Sequence, residues 1–252
     1  MRVAAVQHDV VWEDTEANLD RLGPRVDEAA SQGAGLIVLC ETFSTGFSMN
    51  TDKTGEQRDG PTATWLAERA AATGAWVCGS VPERERPGQP PFNTFVLAGP
   101  DGTVHRYDKV HPFTHAGEHH HFSAGSELRT FTVEGTRISP FVCYDLRFAD
   151  EFWALGPGTD VFVVPANWPD TRREHWRTLL RARAIENQCY VVGVNRVGEG
   201  GGLSYAGGSC IVDPLGRTLV EAALVETVLV ADVDPGVVSD VRDRFRFLPD
   251  RR

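Results

Sequence analysis

Phe141-Val142-Cys143-Tyr144-Asp145-Leu146-Arg147-Phe148 is the stretch from which the fold can be read. An apolar run over 138–142 stops abruptly at a cysteine, polar and charged side chains follow, and a helix-like segment occupies 150–155. That order predicts a buried strand carrying a thiol into the turn before a helix, as in a layered α/β fold. At such a turn a helix N-terminus and free backbone N–H groups favour a thiolate, and the same groups can hold an oxyanion. Cys143 is therefore the candidate nucleophile.

Strands and helices alternate on either side of it. Residues 3–7 read as a first strand, and Asp14 or Thr15 opens a helix with Leu19, Leu22, Val26 and Ala29 at helical spacing. Residues 36–39 form a continuously apolar strand of the kind buried on both faces, ending at Cys40-Glu41. Gly60-Pro61 introduces a second helix, and 75–81 is a third strand. The charged, proline-rich segment 82–91 reads as an exposed loop. Residues 94–98 and 103–107 form a hairpin that ends at Asp108-Lys109, and 111–126 is a long loop without hydrophobic period, a length that usually carries function. Residues 130–133 and 137–142 are strands. After Cys143, 161–164 is a strand that leads to Asn167-Trp168, and 174–187 is a helix with Trp176, Leu179, Leu180, Ala184 and Ile185 on its apolar side. Strands at 190–194, 210–212, 218–221 and 227–232 and a short helix capped by Asp234-Pro235 complete the chain. No repeat, linker or composition break divides it, so residues 1–252 read as one domain.

The composition, 41% hydrophobic and 24% charged, suits a globular protein with a substantial core. A formal charge of -10 argues against nucleic-acid or anionic-membrane surfaces, which need basic patches. The N-terminus passes straight into a strand pattern without signal-peptide anatomy, so a soluble cytoplasmic protein is expected. Five cysteines without close pairing offer neither a zinc set nor a complete disulfide framework, and Cys78, Cys189 and Cys210 read as small buried hydrophobes. In the glycine-rich 198–202 segment, Leu203 breaks a dinucleotide-binding pattern.

Three strands end in chemically complementary residues: Glu41, Lys109 and Cys143. In open α/β sheets functional groups gather at the carboxyl ends of strands. Together they suit acyl transfer through a thioester. Glu41 takes the thiol proton and returns it to a leaving amine, Lys109 faces the developing oxyanion, and the Tyr144 N–H is a second donor. Neither step requires a cofactor. His119-His120-His121 invites a metal reading, but adjacent side chains point in different directions, so the expectation is no metal, with one histidine near the lysine and two exposed.

With these residues in view, the chain resembles the carbon–nitrogen hydrolases of the nitrilase superfamily, and within them the omega-amidase branch acting on 2-oxoglutaramate. The resemblance rests on Glu41-Thr42-Phe43-Ser44-Thr45-Gly46-Phe47, Tyr107-Asp108-Lys109-Val110-His111, the Cys143 stretch, Ala166-Asn167-Trp168-Pro169 and Arg183-Ala184-Ile185-Glu186-Asn187-Gln188, in the family's order. It implies an α/β four-layer αββα sandwich and a homodimer contacting through the 174–187 helix. It also implies a Glu–Lys–Cys triad and a second glutamate, Glu118, that holds Lys109 and helps position the hydrolytic water. The implied reaction is hydrolysis of the terminal amide of a small dicarboxylic acid monoamide such as 2-oxoglutaramate. Other amides, N-carbamoyl compounds and nitriles are served by the same triad, and a non-catalytic binding protein would keep the same fold. The candidate substrate contacts are Arg147, by bidentate pairing with a carboxylate or else bridged to Asp145 or Asp150; Asn167, to a keto or carboxylate oxygen; and Phe43, Phe113, Tyr144 and Trp168 as walls. Three positions depart from the family pattern: Cys40 and Ala149, where proline is usual, and the Phe113-Thr114-His115 segment.

Overall fold

The computed structural model describes residues 1–251. Its strands are β1 (Arg2–Gln7), β2 (Leu36–Val38), β3 (Glu56–Gln57), β4 (Trp76–Arg84), β5 (Phe92–Ala98), β6 (Val104–Asp108), β7 (Phe131–Val133), β8 (Thr136–Pro140), β9 (Val161–Ala166), β10 (Tyr190–Asn195), β11 (Val197–Gly200), β12 (Leu203–Ala206), β13 (Cys210–Val212), β14 (Thr218–Glu221) and β15 (Thr227–Asp232). The helices are α1 (Thr15–Ser31), α2 (Thr51–Thr54), α3 (Pro61–Thr73), α4 (Ala149–Leu155), α5 (Arg173–Asn187) and α6 (Pro235–Phe245).

One sheet runs β15-β1-β2-β4-β5-β6, with β3 beside the far end of β4. A second runs β14-β13-β10-β9-β8-β7, and β11 and β12 form a separate hairpin. Helices α1 and α3 cover the first sheet, α5 packs on the second with α4 against it, and the two sheets touch where β1 meets β10. This is the four-layer αββα arrangement. A sheet covered on both faces needs near-continuous apolar strands, and Leu36, Ile37 and Val38 of β2 are each essentially inaccessible. Burying each such side chain stabilises the fold by roughly 1.5–3 kcal/mol. The Asp14 side chain accepts from the Ala17 N–H at 3.1 Å and so caps α1, which buries Leu22, Val26 and Ala29 and continues through Pro24.

The sequence reading places 82–84 in an exposed loop, whereas β4 continues through Arg84. The Glu83 side chain is fully buried and paired at 2.8 Å with Arg106 of β6, a partner that chain order does not reveal. The excursion is correspondingly short, residues 85–91. Ile185 is also displaced from its expected place: 46% exposed, it lies outside the apolar face by which α5 packs on the sheet.

Strand direction assembles the site. β1, β2 and β4 are parallel, and β6 regains the direction of β4 after two antiparallel steps. β8, β9 and β10 are parallel in the other sheet. The segments following β2, β6, β8 and β9 carry Glu41, Lys109, Cys143 and Asn167 respectively.

Candidate active site

Glu41 leaves β2 through a backbone that stays on the sheet, since the Leu39 N–H donates to the Cys78 carbonyl at 2.7 Å. Thr42 then takes a left-handed conformation (φ 40°) and turns the chain sharply, its N–H held by Ser80 Oγ at 2.8 Å. Lys109 is anchored in the same way, by its N–H to the Asn93 carbonyl at 3.0 Å. Both side chains are sealed from solvent. Lys109 Nζ donates to Glu41 Oε1 at 2.9 Å and to Glu118 Oε1 and Oε2 at 3.1 and 2.9 Å. Glu118, which the sequence associated with Lys109 only through the family, is fully buried and also accepts from the Phe113 N–H. One ammonium thus sits between two carboxylates. Burial alone would lower the Lys109 pKa, but the Glu118 and Glu41 charges raise it above the ordinary lysine value, so it stays cationic.

Asn93 and Asn167 complete the cage. Asn93 Nδ2 donates to both Glu41 Oε1 (2.8 Å) and Glu118 Oε1 (3.1 Å). The Asn167 N–H donates to Glu41 Oε2 at 2.8 Å. Asn167 Nδ2 donates to the Glu41 carbonyl at 2.6 Å and to Thr42 Oγ1 at 3.1 Å. An amide has two N–H donors, and both are spent there. Asn167 lines the cavity as a candidate substrate contact would, while its Nδ2 is engaged with the Glu41 backbone and Thr42.

Cys143 adopts φ 47°, a left-handed conformation that costs a non-glycine residue of order 1–3 kcal/mol and must be held by its surroundings. Asp145 supplies the hold. Its carboxylate accepts from the Val142 N–H at 2.9 Å, the His111 N–H at 2.9 Å and the Tyr107 hydroxyl at 2.8 Å, tying the cysteine turn to the strand that delivers Lys109. Burial raises the Asp145 pKa to about 6 against the opposing pull of Lys109 and these donors. The thiol is likewise pushed well above its usual value, first by burial and then by the Glu41 charge, with Lys109 pulling the other way. Residues 143–147 form a short 3₁₀ turn, and α4 begins only at Ala149. No helix N-terminus therefore serves the thiol, contrary to expectation, and burial and the Glu41 charge both disfavour its thiolate.

Cys143 borders a cavity open to solvent. Phe113, Tyr144, Arg147, Asn167 and Trp168 all line it. Phe43 does not: it is fully buried, because the turn at Thr42 sends its ring under Trp65 (centroids 6.0 Å apart) and against Gly79, whose missing Cβ makes room. Phe47 takes its place at the wall, 5.2 Å from Lys109 Nζ. Arg147 makes no ion pair with Asp145 or Asp150 among the described residues. Its guanidinium lies 4.7 Å above the Trp168 ring and bonds His175 Nδ1 at 3.2 Å. His119, His120 and His121 are all exposed, so none packs by the lysine as expected, and no group of three metal-capable side chains exists among the described residues. Cys40, an unusual residue before Glu41, is buried with its sulfur 3.4 Å from His8 Nε2.

Asn93, Asp145, Phe47, Arg172 and Tyr205 belong to the site and were not singled out by sequence. A polar residue inside the apolar run of β5 is the one signal that could have marked Asn93. Tyr205 arrives on the β11–β12 hairpin, and its ring carries the buried Arg196 guanidinium 4.6 Å away.

The carbon–nitrogen hydrolase family model matches residues 2–243. An omega-amidase, YafV, of Yersinia enterocolitica is 40% identical over 248 residues, covering 97% of this chain and 94% of that protein. A 2-oxoglutaramate amidase of Bacillus subtilis is 33% identical over 256 residues, covering 99% and 97%. The crystal structure of XC1258 from Xanthomonas campestris, a superfamily protein with an arsenic adduct in its active site, superimposes with a TM-score of 0.94 at 40% identity, covering 100% of this chain and 97% of that one. An amidase of Nesterenkonia sp. AN1 in complex with butyramide superimposes with a TM-score of 0.86 at 29% identity, covering 100% and 94%. By family match, by relatives and by structure, this chain belongs to the carbon–nitrogen hydrolase family.

Proposed function

We propose that this amidase hydrolyses the terminal amide of a small dicarboxylic acid monoamide, with 2-oxoglutaramate the leading substrate, through a thioester on Cys143. The observation that carries the proposal is a buried Glu41–Lys109–Glu118 cluster beside the Cys143 thiol, which itself borders a cavity whose charged lining residues are both arginines. The relatives named for omega-amidase and 2-oxoglutaramate amidase activity support the substrate.

The charges set the order of events. With Glu41 and Glu118 ionised and Lys109 protonated, the buried cluster carries one net negative charge. A free thiolate would double it in a poorly solvated site, so the proton moves to Glu41 as sulfur attacks the amide carbon. The new charge develops on the carbonyl oxygen, where Lys109 and the Tyr144 N–H stabilise it. Collapse breaks the C–N bond, and nitrogen leaves as ammonia with the proton from Glu41. Water then attacks the thioester carbon, yields its proton to Glu41 with Glu118 helping to place it, and releases the acid and the thiol. Arg147 faces the substrate carboxylate: its ring seat on Trp168 holds one face, leaving N–H edges for bidentate pairing.

Ammonia release across amides, ureides and nitriles tests the assignment. Carboxylate-bearing amides are expected to exceed neutral amides of equal length in kcat/KM, and the reverse order would overturn it. A homodimer through the α5 face is part of this proposal, supported by exposed Ile185, Leu215 and Leu219 on or beside it. Light scattering giving a monomer mass at micromolar concentration would remove that part. Among the described residues no helix is long and apolar enough to cross a membrane.

A further inference from the structure

Arg172 lines the same cavity and has no part in the reaction described above. It closes the short turn Asp170–Arg172 between β9 and α5, and no acidic side chain pairs with it among the described residues. Its neighbour Arg173 has an acidic contact, Asp170 at 3.7 Å, as do Arg177 and Arg183 of α5. Arg147 and Arg172 are the two charged residues of the cavity wall, and both guanidiniums lie over aromatic rings: Arg147 at 4.7 Å from Trp168, Arg172 at 5.5 Å from Phe113.

The seats are themselves joined. Trp168 Nε1 donates to the Arg172 carbonyl at 2.8 Å, so the ring under one arginine is fixed by the backbone of the other. A guanidinium stacked on a ring keeps its N–H edge free for an anion, and a pair without acidic partners leaves positive charge unneutralised. The Phe113 seat also reaches the catalytic cluster. Its N–H donates to Glu118, which holds Lys109, and its ring packs 4.7 Å from that of Tyr144, the residue after the nucleophile.

We propose that Arg172 is a second specificity-determining cation, acting with Arg147 as a two-armed clamp for the anionic end of the substrate. The inference rests on the carboxylate-bearing amide proposed above and extends it. Because Arg172 sits on Phe113, clamping also steadies the loop that presents Glu118. Its loss therefore lowers kcat as well as raising KM for carboxylate substrates.

The experiment compares wild type, Arg172→Gln and Arg172→Lys on a carboxylate-bearing amide and a neutral amide of the same length. The readout is the ratio of their kcat/KM values. Losing a hydrogen-bonded charge contact corresponds to roughly a 10- to 100-fold change. The ratio is expected to fall by that factor in R172Q and by a smaller factor in R172K, which keeps the charge without the fork. Glutarate serves as an unreactive dicarboxylate probe, and its inhibition constant is expected to rise in parallel. A purely structural role would depress both substrates equally and leave the ratio unchanged. A wild type that favours the carboxylate amide, with the same ratio in both variants, would overturn the clamp and leave the substrate assignment standing. A wild type without that preference would overturn both. Should R172Q fail to fold, an R172K ratio and glutarate constant equal to wild type would by themselves refute the proposal.

Discussion

Replacing Asn93 with alanine removes one amide that donates to two buried carboxylates at once, Glu41 at 2.8 Å and Glu118 at 3.1 Å. A hydrogen bond to a charged group contributes about 1.5–3 kcal/mol, so losing both costs about 3–6 kcal/mol if nothing replaces them. A water entering the vacated space restores part of this, which leaves an expected loss of about 3 kcal/mol. For a chain of this length that is a fall of roughly 6–12 °C in Tm. Glu41 also loses one of its three fixing contacts, so kcat should fall roughly 10- to 100-fold through misplacement of the base. Calorimetry and steady-state ammonia release on N93A measure the two effects. Asn93→Asp separates positioning from simple packing. A carboxyl placed between two carboxylates has a raised pKa; protonated it donates one hydrogen bond, and ionised it donates none and repels both neighbours. The ratio of N93D to wild-type kcat should therefore rise as pH falls from 8 to 6. A flat ratio, or an N93A enzyme with wild-type Tm and kcat, would show that Asn93 does not hold Glu41 in place.

Asp145 offers a pH test. Its folded pKa, about 6, exceeds the ordinary 3.8, so its contribution to stability is fully present below the unfolded value and is lost as pH rises through about 6. The stability of wild type relative to Asp145→Asn should accordingly grow as pH falls from 7 to 4, by up to about 3 kcal/mol; a constant difference in urea midpoints would contradict the shift. Gly79→Ala places a methyl 2.6 Å from the Phe43 ring, and the overpacking should cost about 1–3 kcal/mol in chemical denaturation, whereas an unchanged midpoint would mean that the ring is free to move. Prolonged dialysis against a chelator should leave turnover intact, because the proposed steps run on a thiol, two carboxylates and an ammonium; lost activity restored by a divalent ion would contradict them.

What the sequence made legible was local. An apolar run ending in Cys143, and similar endings at Glu41 and Lys109, follow from strand burial and are visible in chain order. The Glu118 pairing came only through family resemblance, since it lies nine positions beyond Lys109 across an aperiodic loop. Partners brought together across strands left no such mark. Glu83 looked like a loop charge because Arg106 lies two strands away, and Asn93 passed as an ordinary strand residue because its acceptors are 52 and 25 positions distant. Phe43 and Phe47 are equally aromatic, and the left-handed residues Thr42 and Gly46 beside them shape the turn that sends one to the core and the other to the cavity. Asn167 lines the cavity, but its bonds to the Glu41 segment left no mark in chain order. Which of its atoms remained free depended on the backbone of Glu41, 126 residues earlier.

In the proposed reaction the substrate acyl group passes through Cys143. Intact-protein mass spectrometry of enzyme quenched in acid during turnover, followed by peptide mapping, tests it directly. The expected result is an increment equal to the substrate less ammonia, confined to the peptide bearing Cys143 and absent from a folded, inactive Cys143→Ala protein. An adduct on another residue, or undiminished turnover by Cys143→Ala, would contradict it.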